Sequence, residues 1–451
     1  MQLFGTSGIR GVFPKDIDAK LALKLGLAAA HFFGEGATVI VARDNRFSSA
    51  SISHAIISGL TGGGCDVIYL GICPTPAALW YLKAQETTGA IIVTGSHMPA
   101  ERIGILFFKD DTSEFSREEE EAFMNVLNKD LKFKPWDRTG DVVEDSAKDF
   151  WIEGILSLVD IDKIAEMKVV IDTAGGACSG GYLREVLESA EIFVHTINDS
   201  PDSLFRLRDP FPRLDNLIPL MKIVKETNSD IGVGTDTDGD RAIFTSASNI
   251  YWGDVSGAIF IRQLISQGIK EFVVTANTSL IVEKIVRDAG GVIHYCDIGA
   301  PDIVEEMKKK DVYFGMEETG KYIWVDSILY SDVALATLKM LEILVDTNLS
   351  LDELAQTLPK THIEKISIPC PEEKKPNVIS YVKENADKLG DIEKKIELRT
   401  GIRVFFKDES SLLLRASGTE PVFRIYAEAK TKKRVEELLR LGEEFIKKAL
   451  S

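Results

Sequence analysis

Three observations predict a multidomain α/β protein. The 451 residues are too many for one core, and at about 100–200 residues per domain they predict three to four domains. Apolar runs rich in Val and Ile alternate along the chain with amphipathic segments of helical period, which is typical of α/β layers. Several apolar runs end in polar loops, and the carboxyl ends of strands are where α/β proteins place their chemistry. We therefore expect the functional residues in loops that follow strands.

Composition and charge exclude several classes of protein. The chain is 45% hydrophobic and 27% charged, and no apolar segment approaches the ~18 residues that a membrane span needs. The first residues lack a basic region followed by an apolar stretch, so we expect a cytoplasmic protein. A net charge of −17 argues against a nucleic-acid or membrane partner. The five cysteines lack zinc or redox spacing and are expected to be reduced. A homo-oligomer is left open.

A serine loop is the centre of the functional prediction. Residues 94–100, with the sequence TGSHMPA, follow the apolar run 89–93. A β-branched run broken by Gly-Ser and then Pro predicts a buried strand that delivers the Ser96 hydroxyl into a loop. Alone, such a serine is most simply a turn former or a helix cap. Three further stretches indicate instead a serine that carries a phosphoryl group, since together they offer a metal cage, a clamp for sugar hydroxyls and an anion clamp.

The metal cage is an aspartate-rich loop. Asp236, Asp238 and Asp240 follow an apolar run at alternate positions, in a turn that Gly239 permits, with Arg241 directly after them. Carboxylate oxygens are the ligands that Mg²⁺ prefers, and three carboxylates this close repel one another unless a cation lies among them. The alternative is a solvated acidic turn. The strand that leads into the loop favours Mg²⁺.

The other two stretches suit a phosphorylated polyol. Glu317 and Thr319 follow an apolar run and precede Lys321; a carboxylate of this kind accepts hydrogen bonds from paired sugar hydroxyls. Near the carboxyl end, Arg415 and Ser417 lie in a turn between two predicted strands, and arginine matches phosphate oxygens bidentately. The alternatives are an ordinary strand-edge loop and a plain hairpin. The complete predicted turn is Arg415, Ser417, Gly418 and Thr419.

Two regions near the amino terminus suggest supporting roles. Residues 4–11 contain three glycines, two hydroxyls and Arg10, a set that can turn backbone N–H groups and a fixed cation toward an anion. Residues 43–48 place two arginines around an acid at a strand end, either as a local ion pair or as a scaffold that braces the serine loop. The charged run 117–121 is most simply a solvated helix face.

These stretches, in this order over essentially the whole chain, resemble the α-D-phosphohexomutase family of phosphoglucomutases, phosphomannomutases and phosphoglucosamine mutases. The resemblance implies three similar α/β domains with mixed sheets and a smaller C-terminal α+β domain around a central cleft. The expected domains are 1–140, 141–249, 250–366 and 367–451. It also implies an intramolecular phosphotransferase that acts on a small-molecule sugar phosphate, with Mg²⁺ as cofactor and a sugar bisphosphate as activator.

The resemblance assigns roles to three sets of residues. The phosphoserine and the other metal ligands are Ser96, Asp236, Asp238 and Asp240. The basic residues that support them are Arg10 and Arg241. The residues that hold the sugar hydroxyls and the non-reacting phosphate are Glu317, Thr319, Arg415, Ser417, Gly418 and Thr419. In this family scheme the phosphoserine gives its group to the sugar, the bisphosphate turns over, and its other phosphate returns to the serine.

Three positions depart from the family pattern. Met98 stands where the family usually has Asn, Leu106 where it has a lysine, and Lys321 where it has a histidine. The last two are proton-transfer positions, and the loss of a general acid or base costs about 10²–10⁴-fold. We expect Lys321 to compensate, because desolvation near Mg²⁺ would lower its pKa. His97, beside the serine, is the other candidate.

The sequence thus predicts a Mg²⁺-dependent mutase that interconverts hexose 1- and 6-phosphates of glucose or mannose type. Within the class, a phosphopentomutase and a phosphoglucosamine mutase are alternatives. A half-cycle phosphotransferase that forms a sugar bisphosphate is another, given the altered proton-transfer positions. A catalytically silent sugar-phosphate-binding regulator is the alternative from a different class. The intact Ser96 and aspartates count against silence, and Leu106 counts for it.

Overall fold

The computed structural model describes residues 3–418 and 420–450. The chain forms two compact units, the first made of Met1–Ser256 and Thr319–Leu354 and the second of Gly257–Glu318 and Ala355–Ser451. Both units layer helices on sheets, which confirms the predicted α/β class. Within the described residues, no helix combines the length and hydrophobicity that crossing a membrane requires. The predicted domain boundaries stay predictions.

The first sheet of the first unit carries the serine loop. Its strands are β1 (Ile9–Val12), β2 (Thr38–Arg43), β3 (Asp66–Ile72), β4 (Gly89–Val93), β5 (Arg102–Lys109) and β6 (Val142–Glu144). They lie in the order β1-β5-β4-β2-β3-β6. β4 pairs in parallel with β2 and antiparallel with β5, so the sheet is mixed. All five residues of β4 are buried, as expected of an apolar run in the middle of a covered sheet.

Six helices accompany this sheet. They are α1 (Ala19–Phe33), α2 (Phe47–Gly62), α3 (Thr75–Gln85), α4 (Arg117–Leu127), α5 (Lys148–Leu156) and α6 (Ile161–Ile164). The prediction of a solvated face for residues 117–121 is wrong in part. Glu120 is buried, and the Arg117 guanidinium donates to the backbone oxygens of Gly5 and Thr6. The first turn of α4 therefore packs on the amino-terminal glycine loop.

The second sheet of this unit carries the aspartate loop. Its strands are β7 (Lys168–Asp172), β8 (Phe193–Ile197), β9 (Ile231–Gly234), β10 (Ile243–Thr245) and β11 (Ile250–Tyr251), in the order β11-β10-β9-β7-β8. α7 (Tyr182–Glu188) and α8 (Ile218–Thr227) connect its parallel strands. β9 pairs in parallel with β7 and antiparallel with β10, so this sheet is mixed as well.

The second unit begins within α9 (Gly253–Ser266). A parallel set of strands follows, in which β12 (Glu271–Thr275) lies between β13 (Val292–Cys296) and β14 (Phe314–Glu317). α10 (Leu280–Asp288) and α11 (Ala300–Lys310) connect these strands. The strand–helix alternation predicted for this region is confirmed.

The segment after β14 returns to the first unit with β15 (Lys321–Trp324), α12 (Val333–Thr347) and α13 (Leu351–Gln356). Asp332 caps α12, since its Oδ1 accepts the Ala334 N–H at 2.8 Å. Its Oδ2 accepts the indole N–H groups of Trp80 on α3 and Trp151 on α5, at 2.9 and 2.8 Å. One buried carboxylate therefore joins three helices.

The carboxyl-terminal region of the second unit is an antiparallel sheet covered by two helices. Its elements are β16 (His362–Pro369), α14 (Lys375–Glu384), β17 (Ile392–Leu398), β18 (Gly401–Phe406), β19 (Ser411–Ala416), β20 (Val422–Ala429) and α15 (Lys432–Leu450). The strand order is β16-β20-β19-β18-β17. The predicted smaller α+β region is confirmed; of the predicted phosphate-binding residues, Arg415 lies in β19, and Ser417 and Gly418 follow that strand.

Candidate active site

Ser96 lies at the end of β4 in a loop that a buried arginine braces. The Arg46 guanidinium donates from Nη2 to the backbone oxygens of Ser96 and Met98, each at 2.7 Å, and from Nε to Asp44 at 2.8 Å. Asp44 in turn accepts the Gly95 N–H at 2.8 Å. Both arginine and aspartate are fully buried, so the brace is rigid. The scaffold interpretation of residues 43–48 is confirmed for Asp44 and Arg46.

The serine itself has a strained backbone. Ser96 has a φ of +46°, in the left-handed region that non-glycine residues seldom adopt. The residue before it must be glycine, because a Cβ on Gly95 would lie 2.2 Å from the Arg46 guanidinium. Strain of this kind persists only where the surroundings determine it, and it concentrates at functional sites. The strain and the brace together fix the direction of the Ser96 hydroxyl.

The three predicted metal ligands come together directly beyond β9. One carboxylate oxygen each of Asp236, Asp238 and Asp240 lies within 4.8 Å of the others, and all three residues are buried. Each has one oxygen, Oδ1, without a hydrogen-bond partner among the described residues. Three buried carboxylates this close together, each with an oxygen that lacks a hydrogen-bond partner among the described residues, are an arrangement that a hard divalent cation completes. The residues present therefore fit the Mg²⁺ that the sequence predicts.

The second oxygen of each carboxylate has a side-chain donor. Asp236 Oδ2 accepts from the Ser96 hydroxyl at 2.9 Å. Asp238 Oδ2 accepts from the Thr94 hydroxyl at 2.9 Å, and Asp240 Oδ2 from the Lys321 ammonium at 2.7 Å. Thr94 Oγ1 also accepts the Ser96 backbone N–H at 2.8 Å. The serine loop and the aspartate loop are thus bonded to each other directly.

Burial and mutual repulsion shift the pKa values of these carboxyl groups. Burial, followed by the charge of Asp240, raises the pKa of Asp236 well above its usual range and that of Asp238 to about 6. Asp240 is equally buried, but Lys321 and Arg241 hold the pKa of its carboxyl below the ordinary value. For Asp236 and Asp238, burial and repulsion outweigh the nearby cations, so both favour the binding of a metal ion.

Two further predicted residues lie beside the serine. Arg241 approaches Asp236 Oδ2 through Nε at 3.3 Å and donates from Nη2 to His97 Nδ1 at 3.3 Å. Since a guanidinium only donates, His97 Nδ1 accepts and the imidazole proton lies on Nε2. Burial, and then the charges of Arg241 and Arg10, lower the pKa of His97 well below its usual range. His97 is therefore neutral, with Nδ1 at 3.3 Å from the Ser96 hydroxyl oxygen.

Arg10 reaches the same site from the amino-terminal glycine loop. It donates from Nε to the Ser7 backbone oxygen at 2.8 Å and from Nη2 to the Ser7 hydroxyl at 3.4 Å. Its Nη1 is buried without a hydrogen-bond partner among the described residues. Its charge reaches His97 and Asp238, whose pKa values it lowers. We call Ser96, His97, Arg10, Arg241, Lys321 and the three aspartates the serine–metal site.

The positions that depart from the family pattern have distinct environments. Leu106 lies in β5, fully buried, with its side chain under Gly8, where an added Cβ would lie 2.4 Å from it. It therefore presents no surface to a ligand. Met98 is also buried. Lys321 lies between Asp240 and the hydroxyl of Tyr330, which is 3.4 Å from its Nζ.

The predicted sugar and phosphate contacts occupy other elements. Glu317 ends β14, and Thr319 precedes β15, where its backbone oxygen accepts from Arg241 at 3.5 Å. Arg415 ends β19 with its side chain buried, and burial lowers the pKa of its guanidinium. We call the segment from Arg415 to Gly418 the phosphate turn; Thr419, the last residue of the predicted clamp, lies outside the described residues.

The phosphate turn is held from behind by a lysine. Lys375, at the start of α14, is buried and donates from Nζ to the backbone oxygens of Ser417 and Glu420, at 2.6 and 2.7 Å. The Arg415 guanidinium has no ion-pair partner among the described residues. A guanidinium that has lost its water and lacks a carboxylate favours an anion.

Sequence analysis missed several residues of the site. Thr94, which links Ser96 to Asp238, could have been found because it directly precedes the serine motif. Tyr330 donates to Asp240 at 2.9 Å, and Phe211 packs its ring on His97 and on the Arg241 guanidinium, with centroid distances of 5.3 and 5.4 Å. Neither has a motif around it, so no pattern in the sequence marks them.

Comparison with known proteins identifies the family of the chain. Models of the phosphoglucomutase/phosphomannomutase alpha/beta/alpha domains I, II and III match residues 1–133, 149–248 and 252–362, and the model of the C-terminal domain matches residues 366–440. A probable phosphoglucosamine mutase of Methanopyrus kandleri is 33% identical over 96% of this chain and 95% of its own. A phosphoglucomutase/phosphomannomutase of Thermococcus kodakarensis is 32% identical over 100% and 99%. A phosphoglucosamine/phosphogalactosamine mutase of Sulfurisphaera tokodaii is 32% identical over 95% of each.

Solved structures share the fold. A phosphoglucomutase/phosphomannomutase family protein from Burkholderia thailandensis superposes with a TM-score of 0.86 at 21% identity, over 99% of this chain and 97% of the other. An N-acetylphosphoglucosamine mutase of Aspergillus fumigatus, solved with GlcNAc-6P and magnesium, gives 0.60 at 14% identity over 100% and 96%. The four domain models and the full-length relatives agree on the family. The chain belongs to the phosphoglucomutase/phosphomannomutase family, whose members are phosphohexomutases, and it is an intramolecular phosphotransferase.

Proposed function

We propose that this protein is a Mg²⁺-dependent mutase that moves a phosphoryl group between O1 and O6 of a hexose phosphate through Ser96. The observation that carries the proposal is the position of the Ser96 hydroxyl, 2.9 Å from Asp236 in a buried set of three aspartates. A serine that only formed a turn would need neither a strained backbone nor a buried arginine brace. Both are accounted for by a serine that must meet a metal ion in one orientation.

The metal would be held by Asp236, Asp238 and Asp240 together with the phosphoryl group of Ser96. It would supply neutralisation of the phosphoryl charge. The chain adds its own cations: Arg10 has a buried Nη1 without a hydrogen-bond partner in the part of the chain that the structure describes, and Arg241 lies between Asp236 and His97. In-line phosphoryl transfer needs positioning and charge stabilisation more than a strong nucleophile, so a rigid set of cations suits it.

Proton transfer falls to Lys321 and His97 in this proposal. The buried Leu106 stands where the family has a lysine, so at this position on β5 the chain has no amine. Lys321 supplies an amine instead, and its Nζ is held by Asp240 and Tyr330. His97, neutral and with its Nδ1 toward the serine oxygen, suits the acceptance of a proton in the same region. We assign Lys321 to the proton of the sugar hydroxyl and His97 to the serine.

The substrate-binding residues complete the scheme. Glu317 and Thr319 would hold the sugar hydroxyls, and the phosphate turn with Thr419 would hold the phosphate that does not react. The buried Arg415 without an ion-pair partner among the described residues supports this assignment. A sugar bisphosphate would act as activator, because a Ser96 that has lost its phosphoryl group must regain one before the next cycle. The bisphosphate must also turn over between the two transfers.

The proposed sugar is a hexose of glucose or mannose type. Glucosamine phosphate is the second candidate, because the relatives named above carry both kinds of name at 32–33% identity. A phosphopentose fits less well, since none of the relatives named above is a pentose enzyme.

The test is a ³¹P NMR time course with Mg²⁺, a trace of sugar bisphosphate, and separate hexose, hexosamine and pentose 1-phosphates. We expect one 1-phosphate signal to give way to a terminal phosphate signal, and Ser96→Ala to leave every signal unchanged. Ser96→Thr is the matched variant that keeps a hydroxyl. Accumulation of bisphosphate without a terminal monophosphate would replace the mutase with the half-cycle phosphotransferase. Turnover by Ser96→Ala would refute the role of the serine.

A further inference from the structure

A buried glutamate next to the serine–metal site has no part in the scheme above. Glu114 lies at the turn after β5, and its backbone forms an isolated bridge with Phe108. Its side chain is 4% exposed, and its Oε1 has no hydrogen-bond partner among the described residues. A buried carboxylate with an unsatisfied oxygen costs stability, so its presence needs a reason.

The one hydrogen-bond partner of Glu114 within the described chain connects it to Arg10. Ser7 donates its hydroxyl to Glu114 Oε2 at 3.0 Å, and Arg10 holds the same Ser7 through its backbone oxygen and its hydroxyl. Arg10 Nη1 is buried without a hydrogen-bond partner among the described residues. A chain of contacts therefore runs from the glutamate through one serine to a cation whose charge lowers the pKa values of His97 and Asp238 in the serine–metal site.

The charged surroundings of Glu114 explain its chemistry. Burial raises the pKa of Glu114 to about 7, against the opposing charges of Arg10 and Lys321 and the Ser7 hydrogen bond. Glu120, on α4, adds a smaller repulsion. The titratable and polar groups that face it are thus Arg10 from β1, Lys321 from β15, Glu120 from α4, Tyr330 from the segment before α12, and the Ser7 hydroxyl. The two cations that favour the ionised form are both members of the serine–metal site.

The backbone of the glycine loop, residues 4–11, is held by contacts that do not involve Glu114. Arg117 fixes the backbone oxygens of Gly5 and Thr6, and Glu120 holds Arg117 at 2.9 Å. The backbone of the loop is therefore anchored independently of Glu114. What Glu114 adds is the orientation of the Ser7 hydroxyl and a negative charge beside Arg10.

We propose that Glu114 is a positioning residue for phosphoryl transfer, which through Ser7 and by its charge holds Arg10 in the orientation that stabilises the phosphoryl group on Ser96. This inference rests on the proposed function. It assigns Glu114 no contact with the substrate. It requires that the carboxylate be ionised for full activity, although ionisation at a buried site lowers the stability of the folded protein.

The test compares Glu114→Gln, Ser7→Ala and the double variant in the full-length protein with Mg²⁺, sugar bisphosphate and the hexose 1-phosphate that the wild type converts. Glutamine keeps an acceptor for Ser7 and removes the charge. We expect each single variant to lower kcat about 10- to 100-fold with little change in KM, because a misplaced cation weakens only the transition state. The double variant should lose less than the two single losses combined, because Ser7 lies between Glu114 and Arg10 and the two changes act on one arginine.

Two further readouts separate positioning from a merely structural role. The kcat of the wild type should fall as the pH drops through about 7, and this limb should be absent in Glu114→Gln. The melting temperature of Glu114→Gln at pH 8 should be no lower than that of the wild type, because at this pH the wild-type protein carries a buried charge on Glu114. Asp352→Asn is the matched control, a carboxylate bound to the hydroxyls of Ser246 and Tyr251, and should keep both kcat and its pH profile.

The outcomes are distinct. If the wild type is active and Glu114→Gln keeps the wild-type kcat, the role of Glu114 is overturned and the proposed function stays intact. The same holds if the losses of the two single variants add in full in the double variant. A lower melting temperature with an unchanged kcat would make Glu114 a structural residue and would also overturn the proposal. A wild type that converts no sugar phosphate and takes no phosphoryl group on Ser96 from the bisphosphate would overturn the proposed function, and the role of Glu114 with it.

Discussion

The serine–metal site and the phosphate turn both gather charged groups for an anion, but the two are supported differently. In the serine–metal site each aspartate accepts from another side chain: Asp236 from Ser96, Asp238 from the neighbouring Thr94, and Asp240 from Lys321. In the phosphate turn the support comes from Lys375, which binds backbone oxygens. The side chain of Arg415 has no ion pair with the described residues.

This difference separates the two tasks of a mutase. Where the side chains bind one another, changing one of them displaces the rest, so we expect the effect in the rate of the chemical step. Where the backbone is held and the charge points at the ligand, a change weakens the grip on substrate and transition state equally. Such a change raises KM and leaves kcat nearly intact. Three substitutions test this separation.

The largest effect is expected from Asp238→Asn. It removes one of three converging carboxylates, and with it the metal's contribution of several kcal/mol, so activity should fall by about 10³-fold or more. The same variant should be more stable than the wild type without metal. Burial and Asp240 raise the pKa of Asp238 to about 6, so its ionisation between about pH 4 and pH 6 costs stability in the folded state.

The measurement is the melting temperature with EDTA and with excess Mg²⁺, at pH 5 and pH 7.5. For the wild type, Mg²⁺ should raise the melting temperature more at pH 7.5, where the carboxylates are ionised, than at pH 5. For Asp238→Asn the shift with Mg²⁺ should be small at both values. A variant with a full Mg²⁺ shift would show that the metal binds elsewhere.

A smaller effect is expected from Lys321→Ala. Loss of the ammonium group beside Asp240 should lower kcat about 10²–10⁴-fold, while Ser96 still accepts a phosphoryl group from sugar bisphosphate. Single-turnover labelling of Ser96 and steady-state turnover measure the two steps separately. Lys339→Ala, which removes a lysine bound to Glu342 on α12, is the control. Normal turnover in Lys321→Ala would leave His97 as the proton-transfer group.

The smallest effect is expected from Arg415→Lys in the phosphate turn. Lysine keeps the charge and loses the bidentate geometry, so KM should rise about tenfold with kcat within a factor of two. Steady-state kinetics with the 1-phosphate and the 6-phosphate as separate substrates measure the change in both directions. If kcat falls as much in Arg415→Lys as is expected for Lys321→Ala, the phosphate turn and the serine–metal site do not differ in the way proposed.

The sequence predicts the parts of this site that lie in continuous motifs. A buried apolar strand followed by a glycine and a hydroxyl, or by alternate aspartates, predicts a loop that carries functional side chains at the strand end. The positions of Ser96 and Asp236 therefore follow from the local sequence pattern. Glu114 and Tyr330 could not be predicted in this way. Their neighbours in space, Ser7 and Asp240, lie about a hundred residues away along the chain, and only the pairing of strands and helices brings them together.

The fold shows the same limit. The apolar periodicity of about residues 16–33 predicts the helix α1, but the cap by Asp18 sets its start at Ala19. The charged run on α4 looks solvated because it is one arginine followed by four glutamates. Arg117 and Glu120 are nevertheless drawn inward, because the backbone oxygens of the glycine loop need a donor.

Two tryptophans that share the carboxylate of Asp332 provide an intrinsic fluorescent probe of the chain. Two of the five tryptophans, Trp80 and Trp151, donate their indole N–H groups to this one buried acid, whereas Trp136 is almost fully exposed. Indole emission depends on the polarity and hydrogen bonding around the ring. The emission of Trp80 and Trp151 therefore changes together whenever α3, α5 and α12 separate, on top of the emission of the other three tryptophans, and no label has to be attached to follow that event.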